Sequence, residues 1–308
     1  MKLCTATLAI LVASVASSQA PVVAVQPAEA EPGAVVRLSV AQSGADSVMR
    51  VAGSMAGEPL RFLAGDAGRF HAIAGVPVEA SDSVHAQVVV HRKSGAADTM
   101  RVTVRVPHVE MPKESSLAVS ERFTRPLDAK TLARIDRENA RARAVGKRAH
   151  DALPRWTKPF AVPRDSRVTS EFGTGRMFNG TVASRHLGVD FAGAEGTPVL
   201  AANRGVVALV DTFFLAGRIV YVDHGGGVVT GYFHLSKPLV AKGDTVERGQ
   251  RIGLVGKTGR VTGPHLHWSA RYGAVTVNPL GLMTVPVTEY SAKTDGGNGE
   301  QGRGKREN

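Results

Sequence analysis

The sequence predicts a mainly β protein built from two modules with a helical connector between them. Three observations lead there. Short Val-rich runs alternate with Gly, Pro, Ser and Asp turns over residues 21–107, a charged stretch of helical period fills 108–155, and a second Val- and Gly-rich region, almost without helical period, fills 156–287. At 308 residues the chain is long enough for two domains of ordinary size.

The N-terminus starts with one positive charge at Lys2, then an apolar run from Leu3 to Val15, then small residues. This is the pattern of a secretory signal peptide, spanning 1–16 with cleavage after Ala16, or reaching 20. Pro21 sits badly just past the second cut. The apolar run is too short to span a bilayer, so no transmembrane segment is expected. Cys4 is the single cysteine and precedes the apolar run, which argues against a lipoprotein. Its removal would leave a chain without thiol ligand or disulfide, so a metal would have to be held by His and carboxylate. Export points to the periplasm, with the extracellular space as the second location. The net charge of +11 suits an anionic extracytoplasmic surface, and no nucleic-acid motif accompanies it.

Over 21–107, the runs Val35–Val40, His85–Val90 and Met100–Val106 alternate in character, and about seven such strands predict an immunoglobulin-like β-sandwich. In 108–155, Asp128 can cap a helix running to about Val145, with Leu132, Ile135, Ala142 and Val145 on one face. That helix reads either as a connector packed on one or both modules or as a solvated linker. Residues 156–287 form a second all-β domain. The tail at 288–308, with Gly296–Gly299 and Arg303–Arg306, has too few apolar groups to bury and is expected to be disordered.

The chemistry lies in the second domain. His265 and His267 are one residue apart after Thr262-Gly263-Pro264, and alternation on a strand puts both imidazoles on one face. His186 and Asp190 form a His-x-x-x-Asp pair; Gly188, Gly193 and β-branched Val189 favour a loop entering a strand over a helical pair. His234 closes the strand-like run Gly231–Ser236 at its rim. Two imidazoles and a carboxylate make the three-ligand set of a catalytic zinc, which keeps a fourth position open. The two imidazoles left over can act on an attacking water and on the developing oxyanion. His71, His85, His91, His108 and His150 read as structural or exposed, and His224 as a structural residue at a hairpin end. Leu266 and Trp268 alternate away from the ligand face and read as core. The Gly225–Gly227 run and Gly253, Gly256 and Gly259 read as hairpin turns, since no helix start follows them.

From about Val168 to Pro279 the chain resembles the lysostaphin-type, or LytM-like, zinc endopeptidases of peptidoglycan. The stretches that carry the resemblance are Ser170–Gly173, His186–Phe191, Gly196–Val199, Tyr232–Ser236, Lys242–Val246 with Gly249-Gln250, and Thr262–Trp268. The resemblance implies an antiparallel β peptidase domain with an open groove, and one Zn2+ per chain held by His186, Asp190 and His267. It further implies His234 and His265 as the catalytic pair, with peptidoglycan stem peptides as substrate. Ser269 departs from the acidic residue that many relatives carry there. Two other classes compete. An inactive relative that activates other wall hydrolases through a regulatory protein partner would usually lack one of these five residues. A biotinyl- or lipoyl-like carrier, suggested by Val240–Gln250, has no use for them.

Overall fold

The computed structural model describes residues 21–41, 47–65, 68–110, 116–180 and 182–285. The expected signal peptide and basic tail lie outside the described residues.

The N-terminal module holds β1 (Val22–Gln26), β2 (Val35–Ala41), β3 (Val48–Met55), β4 (Glu58–Pro59), β5 (Leu63–Ala64), β6 (Phe70–Gly75), β7 (Asp82–Arg92) and β8 (Ala97–Val106). They form two four-stranded antiparallel sheets, ordered β1-β2-β6-β5 and β4-β3-β7-β8. Period-two alternation drives the packing. Val36, Leu38 and Val40 of β2 point inward to meet Ala86, Val88 and Val90 of β7 and Val104 and Val106 of β8. Each fully buried Val or Leu contributes roughly 1.5–3 kcal/mol.

The helix α1 spans Ala129–Arg148, three residues past the expected end. Asp128 caps it, its Oδ1 accepting the Thr131 N–H at 2.6 Å. The expected apolar face is corrected in one place: Leu132 is exposed, and the buried side is Glu138, Ala142, Val145 and Gly146. The helix meets its sheet through the later turns, so Leu132 in the first turn stays outside the contact. Ala142, Val145 and Ala149 pack on Leu209, Phe213, Ile219, Tyr221 and Val229. Glu138 ties the helix down by accepting the Phe214 N–H at 2.8 Å. The connector is packed on the second domain rather than solvated.

That domain contains β9 (Val168–Ser170), β10 (Gly175–Phe178), β11 (Val182–Arg185), β12 (Val189–Ala192), β13 (Pro198–Leu200), β14 (Gly205–Phe213), β15 (Gly217–Gly225), β16 (Val228–Leu235), β17 (Lys237–Pro238), β18 (Thr245–Val246), β19 (Arg251–Leu254), β20 (His265–Tyr272) and β21 (Val275–Val277). The main antiparallel sheet runs β18-β14-β15-β16-β20-β12-β9, with β21 added on β20. A smaller sheet, β13-β19-β17, and the hairpin β10–β11 complete the domain. Both faces of β15 are covered. Val220 and Val222 join the main core with Tyr232, Phe191, Leu266 and Trp268, while Ile219 and Tyr221 face α1. This double burial explains the unbroken apolar run Ile219–Val222 within β15.

The two modules are joined by hydrogen bonds. Glu58 on β4 accepts the Ala274 N–H at 3.0 Å, and its other oxygen lies 3.1 Å from His150 Nε2. The Tyr272 hydroxyl donates to the Pro59 carbonyl at 2.8 Å, Arg61 donates to the His150 carbonyl, and the Asn278 N–H donates to the Gly33 carbonyl at 2.7 Å. His150 is therefore a buried structural group of this junction; burial lowers its pKa, and Glu58 opposes that.

Candidate metal centre and active site

Strand register assembles the site. Asp190 on β12 stands directly opposite His267 on β20, and Ala192 opposite His265. Phe233 on β16 stands opposite His267 from the other side. His186 comes from the loop between β11 and β12, the loop-into-strand geometry expected for the His-x-x-x-Asp pair.

Three atoms meet in a triangle. His267 Nδ1 lies 2.8 Å from Asp190 Oδ1 and 2.9 Å from His186 Nε2, and His186 Nε2 lies 3.0 Å from Asp190 Oδ1. All three residues are buried, and these are the described His, Cys, Asp and Glu side chains that group as metal ligands. The His186 Nδ1–H donates to the Glu171 carbonyl at 2.8 Å, which turns the Nε2 lone pair into the triangle. Burial drops the His267 pKa to about 4, with Asp190 opposing, so its imidazole is neutral at pH 7. Burial pushes the Asp190 carboxyl up, but the adjoining imidazoles of His186 and His267 outweigh it and hold the group well below the usual carboxylate range. Two lone-pair nitrogens and a carboxylate oxygen aimed at one point repel one another unless a cation sits among them. Tetrahedral zinc with bonds of 2.0–2.1 Å separates its ligands by about 3.3 Å, a few tenths more than here. The donor set fits zinc.

Arg176 on β10 donates to the second carboxylate oxygen, Oδ2, at 2.5 Å and to Ser170 Oγ at 2.8 Å. The charge of Asp190 is thus held from both sides. Phe233 stacks on the His267 ring, with centroids 5.1 Å apart and planes 11° apart. Gly188 is required for the approach: a Cβ there would overlap His267 Nε2 and the Trp268 carbonyl.

His234 and His265 flank the triangle, with ring centroids 4.9 Å apart. His234 sits at φ +60°, a left-handed conformation that costs a non-glycine residue free energy and is found at functional sites. Its Nδ1–H donates to the Thr258 carbonyl at 2.8 Å, and that of His265 to the Gly263 carbonyl at 2.9 Å, leaving each Nε2 available. His265 Nε2 is 3.7 Å from Asp190 Oδ2. Burial, then the neighbouring His265 and His267, hold His234 well below the usual histidine range. The structure therefore brings all five sequence-predicted residues together.

His224 stands apart from this group, fully buried, its Nδ1 2.8 Å from the Arg204 carbonyl and its Nε2 2.8 Å from Thr230 Oγ1. Burial lowers its pKa to about 4. Leu266 and Trp268 are fully buried, and Ser269 is buried on the histidine side of β20. Sequence reasoning missed Arg176 and the backbone acceptors at Glu171, Thr258 and Gly263. No spacing rule links Arg176 to Asp190 across a hairpin. Thr258-Gly259, a Gly turn ahead of His-x-His, was the available signal for Thr258 only.

Residues 184–279 match the family model described as Peptidase family M23. The peptidoglycan DD-endopeptidase ShyA of Vibrio cholerae is 46% identical over 146 residues, 47% of this chain and 34% of ShyA. A crystal structure from Pseudomonas aeruginosa, assigned to peptidase M23, matches with a TM-score of 0.62 at 28% identity, covering 82% of this chain and 94% of that one. The catalytic domain of lysostaphin from Staphylococcus simulans is 30% identical over 39% of this chain and 92% of that one, with a TM-score of 0.35. The aligned part spans about a third or less of the curated relatives it matches.

Proposed function

We propose that this chain, whose residues 184–279 match the model described as Peptidase family M23, is a zinc metalloendopeptidase that hydrolyses peptide cross-links of peptidoglycan. The observation that carries the reading is the triangle of His186 Nε2, Asp190 Oδ1 and His267 Nδ1, with two further imidazoles beside it. These three residues would hold the zinc. When bound, zinc supplies Lewis acidity at the scissile carbonyl and raises the acidity of the attacking water.

The chain's own groups do the rest. His234 and His265 each present Nε2 to the space beside the ligands, their other nitrogens committed to backbone carbonyls. One imidazole takes the proton of the attacking water at Nε2 and returns it to the leaving amine; the other donates to the oxyanion from Nε2 when both of its nitrogens are protonated. Arg176 orients Asp190 through its hydrogen bond to Oδ2. The groove beside His265 and Asp190, about 570 Å³, is open and suits an extended peptide. The substrate lies outside the cytoplasm, so the proposal includes export, with the periplasm as the site of action. The intact set of five residues supports an active enzyme over an inactive activator.

Digestion of purified sacculi tests this. The full chain loaded with zinc should release peptide fragments identifiable by mass, a chelator should stop release, and zinc should restore it. No release by fully zinc-loaded protein would overturn the reading.

A further inference from the structure

The groove wall next to His265 is cationic beyond what the metal site uses. Arg167, Arg176 and Arg260 all line it, and the one acidic residue among its lining groups is Asp190. Asp190 is already engaged, Oδ1 by His186 and His267 and Oδ2 by Arg176. Arg176 is committed to Asp190 and Ser170. Arg260 is different. Among the described residues no carboxylate pairs with it; its guanidinium lies over the Phe178 ring, 4.0 Å from the centroid. Its backbone is fixed by the Arg260 N–H donating to the Leu215 carbonyl at 2.8 Å. It is half-buried, and burial together with the nearby Arg176 charge lowers its pKa.

A guanidinium stacked on one face keeps its N–H edges free for a planar, bidentate acceptor. Holding that cation half-desolvated beside a second arginine is unfavourable without an anion to pair with it. A carboxylate arriving with the substrate relieves it, so the arrangement favours anionic ligands over neutral ones of the same shape. Arg167, exposed at the start of β9, adds positive potential along the same wall.

We infer that Arg260 is a specificity-determining residue that pairs with a free carboxylate carried by the substrate next to the scissile amide. This rests on the peptidase reading above and sharpens it. Cross-links made through a diamino acid keep such a carboxylate beside the bond and glycine bridges carry none; what is inferred is the residue that reads it.

The test compares two synthetic cross-linked peptides that differ only in that carboxylate, free in one and carboxamide in the other. Zinc-loaded full chain, Arg260→Gln and Arg260→Lys are assayed for kcat/KM on both, with zinc content and Tm measured for each protein. The parent chain should prefer the carboxylate peptide by roughly 10–100-fold, the scale of one charge-assisted bidentate pair. Arg260→Gln should bring the ratio close to one, and Arg260→Lys should retain part of it. Equal cleavage of both peptides by the parent chain would overturn the inference while leaving the peptidase reading intact. So would an Arg260→Gln effect that falls equally on both peptides, since a merely structural arginine would do that. Cleavage of neither by zinc-loaded parent chain would overturn both.

Discussion

Asp190 and His267 face each other across β12 and β20, at directly opposed positions, with Oδ1 and Nδ1 2.8 Å apart. Opposed residues of an antiparallel pair share a face with Cβ atoms about 5 Å apart. A carboxylate and an imidazole at such a pair reach one point without any loop to place them. The sheet therefore pre-positions two of the three candidate ligands.

Removing one of only three protein ligands should remove the metal. His267→Ala is expected to lose zinc and activity together. His234→Ala and His265→Ala should keep near-stoichiometric zinc and lose roughly 10²–10⁴ in rate. Zinc content measured beside turnover decides it; zinc lost from His265→Ala but kept by His267→Ala would reverse the two roles.

Arg176 orients the carboxylate through Oδ2. Partners of this kind typically tune metal affinity by about 10–100-fold. Arg176→Gln should weaken zinc binding on that scale in competition titrations with a chelator, while Tm of the zinc-loaded protein changes little. Unchanged affinity would make the contact incidental.

The fully buried His224 predicts a pH dependence of stability. Its pKa is near 6.5 in an unfolded chain and about 4 in the folded one. Between those values the unfolded state binds more protons. Stability therefore falls as pH drops from about 6.5 to about 4, by roughly 3 kcal/mol from this group alone. In urea titrations at several pH values, His224→Gln should show a shallower acid slope than the parent chain. Its zinc content should match the parent, because His224 lies outside the site.

The domain boundary has an energetic test. A fragment beginning at Trp156 retains all five site residues but loses α1, which covers Leu209, Phe213, Ile219, Tyr221 and Val229. A fragment beginning at Asp128 keeps that cover. The shorter one should unfold at markedly lower temperature and aggregate, whereas 128–285 should stay monomeric. Equal Tm values would show that the helix contributes nothing to this core.

Much of this was legible in sequence because it is local. Strand alternation placed His265 with His267 and sent Leu266 and Trp268 inward, and Asp128 announced the start of α1. The rest depends on contacts between distant segments. Leu132 has the helical spacing of a buried residue, yet nothing local says where the sheet beneath α1 begins. Nothing local in the run Tyr232–Ser236 signals the positive φ of His234. Arg176 and Arg260 look like any surface arginines until the hairpin and the turn before β20 bring them to one wall.

One short contact near the groove has a practical consequence. Leu117 pairs with Phe178, its N–H donating to the Met177 carbonyl at 2.8 Å, and the Asn179 side chain clasps Val119 on both sides at 2.9 Å. The rim of the groove is thus stitched from two stretches of chain some sixty positions apart, one of them upstream of α1. A chimaera that transplants only residues 184–279 would carry its ligands into a host whose rim residues belong to someone else. Exchanges meant to move cleavage preference between relatives should take the piece from Leu117 onward as one cassette.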